Sequence, residues 1–308
     1  MASTHAPFGG AVSAMVTPFD AQGAVDYDGA ARLAKWQADQ GVDGLVVAGT
    51  TGEAPVLTDD EFAGVLRAVV EAVTVPVVAG TGTNDTRHAI ELTRIATEAG
   101  TDGVLVVTPY YNRPSQQGLA DHFAAVAGAT PLRVLLYDIP VRAGRRIEHP
   151  TMLHLARTVP NIIGVKDATG DLAAAAALLR EAPSDFVLYS GDDPLTLPFM
   201  AVGAVGVISV TANWAPGEMS ELVARFAKGD VEGARGLNDR LVPSFAFATS
   251  DAYPNPLPAK AALRVLGLPA GQCRLPMGPA PIELDERARA VLSDLGRSLP
   301  AAGDGAGG

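Results

Sequence analysis

The apolar residues of this chain fall into one repeating pattern. Runs of three to six apolar residues alternate with longer stretches in which apolar positions recur every three or four. The runs are Ala11 to Val16, Gly44 to Ala48, Val75 to Ala79, Val104 to Val107, Val134 to Leu136, Ile162 to Val165, Phe186 to Leu188 and Val205 to Val210. Short apolar runs bounded by Gly, Pro or polar residues and flanked by helical patterns are the mark of buried parallel strands. Between them lie amphipathic segments such as Asp26 to Gln40, which stops at Gly41. Thr58-Asp59-Asp60-Glu61 has the spacing of a capping box and predicts a helix start.

No Asn-Gly hairpin signal joins any two runs. Strict alternation of strand and helix requires right-handed crossovers and a parallel sheet. Eight such units in roughly 250 residues is the size of a (β/α)8 TIM barrel. An open doubly wound sheet would carry a Gly-rich phosphate loop after the first strand. Thr17-Pro18-Phe19-Asp20 stands there instead, so the barrel is the predicted fold. From about Gly217 onward the pattern is helical, which predicts a small C-terminal helical addition. The expected division is a barrel over 8–225, a helical region over 226–298, and disordered tails at 1–7 and 299–308.

Composition narrows the partners. No run approaches the ~18 unbroken apolar residues of a membrane span, and Met1 to Pro7 does not read as a secretory signal. A net charge of -11 repels a phosphate backbone and argues against nucleic acid. The single cysteine, Cys273, excludes an intramolecular disulfide and fits a reducing cytoplasm. The five histidines are scattered, which argues against a bound metal such as zinc.

The chemistry points to one lysine. There are four in all, Lys35, Lys166, Lys228 and Lys260. The first, third and fourth sit in amphipathic or helical contexts and read as solvated charges. Lys166 alone ends a strand, so it is the candidate covalent nucleophile. In a barrel the loops after the strands converge on one face, where catalysis resides. The strand ends here carry Thr50, Thr51, Tyr110, Tyr111, Tyr137, Arg142, Lys166 and Asp192. Gly49-Thr50-Thr51-Gly52 can form an anion-binding turn, and beside a lysine it becomes a carboxylate seat. Tyr137 ends the strand before Lys166 and could shuttle protons during imine formation. A lysine at its ordinary pKa of ~10.4 is a free amine about once in a few thousand molecules at neutral pH, so an apolar surrounding is needed to activate it. Arg142 suits a second carboxylate, or else pairs with Asp138 or Glu148. Arg145 and Arg146 read as solvated loop charges, and Asp192 and Asp193 as acids at the next helix start.

Taken in order, these motifs resemble a known family. Gly49 to Glu53, Thr108-Pro109-Tyr110-Tyr111-Asn112-Arg113-Pro114, Tyr137 to Arg142, Lys166 to Gly170, Ser190-Gly191-Asp192-Asp193 and Gly206 to Val210 occur at the spacing of the dihydrodipicolinate synthase family of class I pyruvate aldolases. The resemblance runs from about Phe8 to Gly296. It implies condensation of pyruvate with L-aspartate 4-semialdehyde in lysine biosynthesis, with no cofactor beyond a covalent lysine imine. It also implies a cytoplasmic homotetramer built as a dimer of dimers. By position, Lys166 would form the pyruvate imine and Tyr137 would donate and accept protons. Thr50 would relay them to Tyr111, the latter reaching in from a neighbouring subunit. Thr51, Gly191 and the backbone of Ile208 fall in the substrate-binding positions, and Arg142 would hold the semialdehyde.

Two departures, Asp138 and Val141, are expected beside the acceptor pocket. A sister enzyme such as N-acetylneuraminate lyase or a keto-sugar-acid aldolase would share Lys166 and Tyr137 but tends to lack Arg142. A catalytically silent keto-acid-binding barrel would have lost Lys166 or Tyr137. The resemblance further implies a lysine-binding cleft near the loop after Glu53, Asn84 and Tyr110. His88 stands where lysine-sensitive members place a glutamate, so weak or absent feedback by L-lysine is expected.

Overall fold

Each of the eight apolar runs forms a strand. In a computed structural model describing residues 6–299, the strands are β1 (Ala11–Ala14), β2 (Gly44–Val47), β3 (Val77–Gly80), β4 (Gly103–Val107), β5 (Arg133–Asp138), β6 (Ile162–Asp167), β7 (Val187–Ser190) and β8 (Gly206–Ser209). All pair in parallel in chain order, and β8 pairs with β1 to close the barrel. The chain is therefore a (β/α)8 TIM barrel. Of the expected tails, 1–5 and 300–308 lie outside the described residues.

The helices between the strands are α1 (Tyr27–Asp39), α2 (Asp59–Ala72), α3 (Thr86–Glu98), α4 (Gln116–Ala127), the short α5 (Pro140–Ala143), α6 (His149–Thr158), α7 (Leu172–Glu181) and α8 (Thr196–Ala201). The helix after β8 is α9 (Pro216–Ala227), and α10 (Val231–Ala248), α11 (Leu257–Val265) and α12 (Ile282–Asp294) form the C-terminal addition. The capping box is formed as its spacing predicts. Thr58 Oγ1 accepts from the Glu61 N–H, and the Glu61 carboxylate accepts from the Thr58 N–H.

Alternation along the strands divides the core in two. Val12, Val46, Val78, Leu105, Leu135, Tyr137, Tyr189 and Ile208 fill the barrel interior. Residues of opposite parity, such as Leu45, Val47, Val104, Val106, Leu136 and Leu188, pack outward under the helices. One irregularity at the start of β6 matters for the site. The register slips so that Val134 pairs with Ile162 but Leu135 pairs with Gly164. From there Lys166 stands opposite Tyr137 on one side and Tyr189 on the other. A β-strand side chain shares its face with its cross-strand partner, so the slip turns Lys166 into the barrel. The C-terminal addition is fastened by Trp214, which is fully buried and donates from Nε1 to Ser244 Oγ of α10 at 3.1 Å. Among the described residues, no helix is long and apolar enough to cross a membrane.

Candidate active site

Strand register brings the principal chemistry together. Lys166 Nζ lies 4.3 Å from the centre of the Tyr137 ring. Lys166 is 5% exposed, and among the described residues no carboxylate stands within ion-pair distance of its ammonium. Burial pulls its pKa down to about 8, with the Arg142 guanidinium adding to the effect and the Asp193 carboxylate opposing it. Burial pushes Tyr137 up to about 12, against the pull of Arg142 and of a hydrogen bond with Thr50. The pair is thus an amine that deprotonates easily beside a phenol that keeps its proton.

A cavity of about 350 Å³ opens at this end of the barrel. Thr50, Tyr111, Tyr137 and Arg142 are on its wall, with Gly49, Tyr110 and Ile139. Tyr111 is 90% exposed and holds a left-handed backbone at φ 73°. Lys166 is not on that wall, and its Nζ lies over the Tyr137 ring, which is. Gly191 packs against the lysine stem: a Cβ there would meet Lys166 Cγ at 3.1 Å and the Ala168 Cβ at 2.9 Å. Thr51 is buried and accepts from Asn255 Nδ2 at 3.0 Å. Ile208 is buried in the barrel interior on β8, paired with Val12. Thr51, Gly191 and Ile208 do not line the cavity itself.

Several charges differ from the sequence reading. Lys260 is not solvated: it is fully buried, with Nζ 2.6 Å from Glu53 Oε1 and 3.1 Å from the Gln272 carbonyl. Lys35 and Lys228 are exposed, as expected. Arg142 pairs with neither Asp138 nor Glu148. Its Nη2 donates to the Asn255 carbonyl at 3.2 Å. Arg146 is not a free loop charge, because it bridges Asp171 at 3.1 Å and approaches Asp138 at 4.0 Å. Asp193 does stand at a helix start, opening the 3-10 turn Asp193–Leu195 that leads into α8, but it is buried there. Its Oδ2 accepts from the Thr211 N–H at 2.7 Å, inside the barrel mouth. The two departures also sit elsewhere. Asp138 faces away from the barrel, accepting from the Ile147 N–H at 3.3 Å, and Val141 points to solvent at 86% exposed. Neither lines the cavity.

Asn255 was not legible as a site residue, although it reaches both Thr51 and Arg142. The one available signal was a polar residue set in the Pro-rich lead to α11. A second cavity of about 170 Å³ adjoins the first and shares Ala54, Pro55, Gly80, Gly82 and Tyr110 with it. Asn84, Asp59 and His88 line it, and His88 Nε2 lies 2.9 Å from Asp59 Oδ1.

Comparison with known proteins agrees with this geometry. The model of the dihydrodipicolinate synthetase family matches residues 7–295. The chain is 52% identical over 293 residues to the 4-hydroxy-tetrahydrodipicolinate synthase of Moorella thermoacetica, covering 94% of this chain and 99% of the relative. It is 43% identical over 282 residues to the enzyme of the same name from Bacillus subtilis, covering 91% and 96%. Among solved structures, the lysine-bound dihydrodipicolinate synthase of Cyanidioschyzon merolae superposes with a TM-score of 0.90 at 41% identity, covering 94% of this chain and 99% of that one. A sequence match across nearly the whole described chain, joined to the same barrel, leaves one conclusion: this chain belongs to the dihydrodipicolinate synthetase family.

Proposed function

We propose that this protein condenses pyruvate with L-aspartate 4-semialdehyde to 4-hydroxy-tetrahydrodipicolinate, through an imine on Lys166. The observation that carries the reading is the pairing of a buried, unpaired lysine with Tyr137 at 4.3 Å. With its pKa near 8, Lys166 is neutral in about one molecule in ten at pH 7, against about one in three thousand for a solvated lysine. Its lone pair adds to the pyruvate C2 carbonyl, and water leaves as the imine forms. Loss of a proton from C3 gives the enamine, which attacks the semialdehyde aldehyde carbon. The acceptor's amino group then attacks the imine carbon, closing the ring and displacing the Lys166 amine, so that the one water lost is the one released on imine formation.

Tyr137 carries the protons that these steps release and require. Its hydrogen bond to Thr50 opens a path towards the cavity rim. Tyr111 completes that path from a second copy in a homotetramer. Its exposure and left-handed backbone support a role at a subunit contact. Thr51, Gly191 and the Ile208 backbone bound the pyruvate end, and Arg142 receives the acceptor's carboxylate. The single cysteine, Cys273, is buried and unpaired, in keeping with a cytoplasmic setting. The catalyst needs no cofactor beyond its own lysine.

A sister aldolase acting on polyhydroxylated acceptors is the weaker reading, because Arg142 is on the cavity wall. Borohydride reduction in the presence of pyruvate is the test, with mass mapping of the adduct. Attachment at Lys166 is expected, and attachment at buried Lys260 would overturn the assignment. An acceptor panel at fixed pyruvate separates the semialdehyde from sugar-derived aldehydes.

A further inference from the structure

The Thr50–Thr51 turn is tightly wound. Ala48 and Glu53, the residues on either side of 49–52, are both left-handed without being glycine, at φ 53° and 56°. Non-glycine residues hold that conformation only when their surroundings impose it. Inside the turn, the Glu53 N–H donates to the Thr50 carbonyl and the Ala54 N–H to the Gly49 carbonyl, each at 3.2 Å. Thr17 Oγ1 donates to the Gly52 carbonyl at 2.7 Å. Gly52 has no room for a side chain, since a Cβ would lie 2.9 Å from the Ala48 Cα.

Glu53, which closes the turn, is held from the far end of the chain. Lys260 Nζ on α11 lies 2.6 Å from Glu53 Oε1, and the Arg274 N–H donates to Glu53 Oε2 at 2.9 Å. Lys260 is also 4.0 Å from the centre of the Phe19 ring, so it is closed off from solvent on every side. The Arg274 guanidinium continues the clamp, donating to the Gly23 and Val56 carbonyls at 2.8 Å and pairing with Glu61 of α2. Asn255, just before α11, holds Thr51 by its hydroxyl.

Stability alone is a poor reason for such a pair. Two charges taken out of water recover their desolvation only with good geometry, and well-packed apolar residues often do as well. Fixing one geometry is the better-supported use of buried charge. We infer that the Lys260–Glu53 ion pair is a positioning device, through which the C-terminal addition sets the Thr50–Thr51 turn and hence how tightly the keto-acid substrate is held. The inference rests on the pyruvate reading given above. Neither residue touches the reacting atoms: Lys260 and Glu53 both lie off the cavity wall.

The test uses the full-length protein with E53Q and with the double variant E53Q/K260M. The single variant leaves Lys260 charged without its partner, whereas the double variant removes both charges. The double variant should be more resistant to urea than the single. At saturating pyruvate, borohydride should still trap the adduct on Lys166 in the double variant. Its KM for pyruvate should rise about tenfold while the KM for the semialdehyde stays within about twofold, the split expected when only one substrate's binding is loosened. A folded double variant with the wild-type pyruvate KM overturns the inference. So does an equal rise in both KM values, or a double variant that cannot be recovered folded, because the pair would then serve the whole fold. Failure of the wild-type protein to trap pyruvate instead overturns the pyruvate reading, and the inference with it.

Discussion

Replacing Lys166 with methionine should make the protein more stable at neutral pH while removing its chemistry. The reasoning starts from burial. Lys166 has a folded-state pKa of about 8 against an ordinary value of 10.5, because charging it inside the barrel is unfavourable. Between those two values the unfolded chain binds more protons than the folded one, so wild-type stability rises with pH across that window. Below pH 8 the full difference weighs against the folded state, and above about 10.5 it vanishes. A gap of about 2.5 units corresponds to about 3 kcal/mol at pH 7, at 1.36 kcal/mol per unit. At pH 9 the same expression leaves about 2 kcal/mol. Methionine has nearly the same length, fills the space beside Tyr137 and carries no charge. The measurement is urea unfolding of both proteins at equal concentration, at pH 7 and pH 9. The variant should be the more stable at both values, with its advantage smaller at pH 9. A variant less stable than wild type at pH 7, or an advantage that does not change with pH, would refute the claim that Lys166 is held charged at a cost. Tyr137, pushed up to about 12 from an ordinary 10.0, adds its own pH dependence only above about pH 10, beyond both measured values.

Three further outcomes follow from the same geometry. Arg142→Ala should raise the KM for the semialdehyde by the equivalent of about 1.5–3 kcal/mol, the value of a hydrogen bond to a charged group, and spare borohydride trapping of pyruvate; an equal loss in both assays would remove Arg142 from the acceptor's carboxylate. Gly191→Ala should slow trapping at Lys166 without unfolding the barrel, since the added methyl meets the lysine stem at 3.1 Å; unchanged trapping rates would show that the stem has room to shift. L-Lysine should inhibit weakly or not at all, because His88 and Asp59 already pair at 2.9 Å across the second cavity, leaving no free carboxylate from that pair for an incoming ammonium. Half-inhibition below about a millimolar in a steady-state titration would contradict this, since it requires about 4 kcal/mol or more of net binding.

What could be read from the sequence was local, or nearly so. The capping box at Thr58 spans four residues, and both of its hydrogen bonds form. Tyr137 and Lys166 could be placed side by side because they end consecutive strands, and consecutive strands in a parallel barrel are neighbours. The slip between Val134 and Leu135 was not legible, because an unbroken apolar run carries no phase from which to read inward and outward faces. Asp138 was misplaced for a related reason. Adjacent to Tyr137 in sequence, it necessarily points to the opposite side of the sheet, so a substitution there cannot alter the cavity wall directly.

Lys260 marks where sequence reasoning had no purchase at all. Its helix reads Leu-Pro-Ala-Lys-Ala-Ala-Leu-Arg-Val, and a lysine among alanines looks like an ordinary surface charge. Yet every residue of that helix except Arg264 is buried. The carboxylate that makes burial tolerable belongs to Glu53, and the backbone group sharing that carboxylate comes from Arg274, 221 residues further along the chain. No periodicity connects such positions. The same separation explains why the two buried lysines differ in chemistry. Lys260 is held by a carboxylate at 2.6 Å, which favours its charged form and opposes the effect of burial. Lys166 has the burial with no carboxylate at such a distance among the described residues, only the opposing pull of Asp193, and faces a phenol. Depth in the protein therefore does not by itself separate the two lysines. Among the described residues, what separates them is a carboxylate at ion-pair distance, which Lys260 has and Lys166 lacks, and strand-end position carries no information about that.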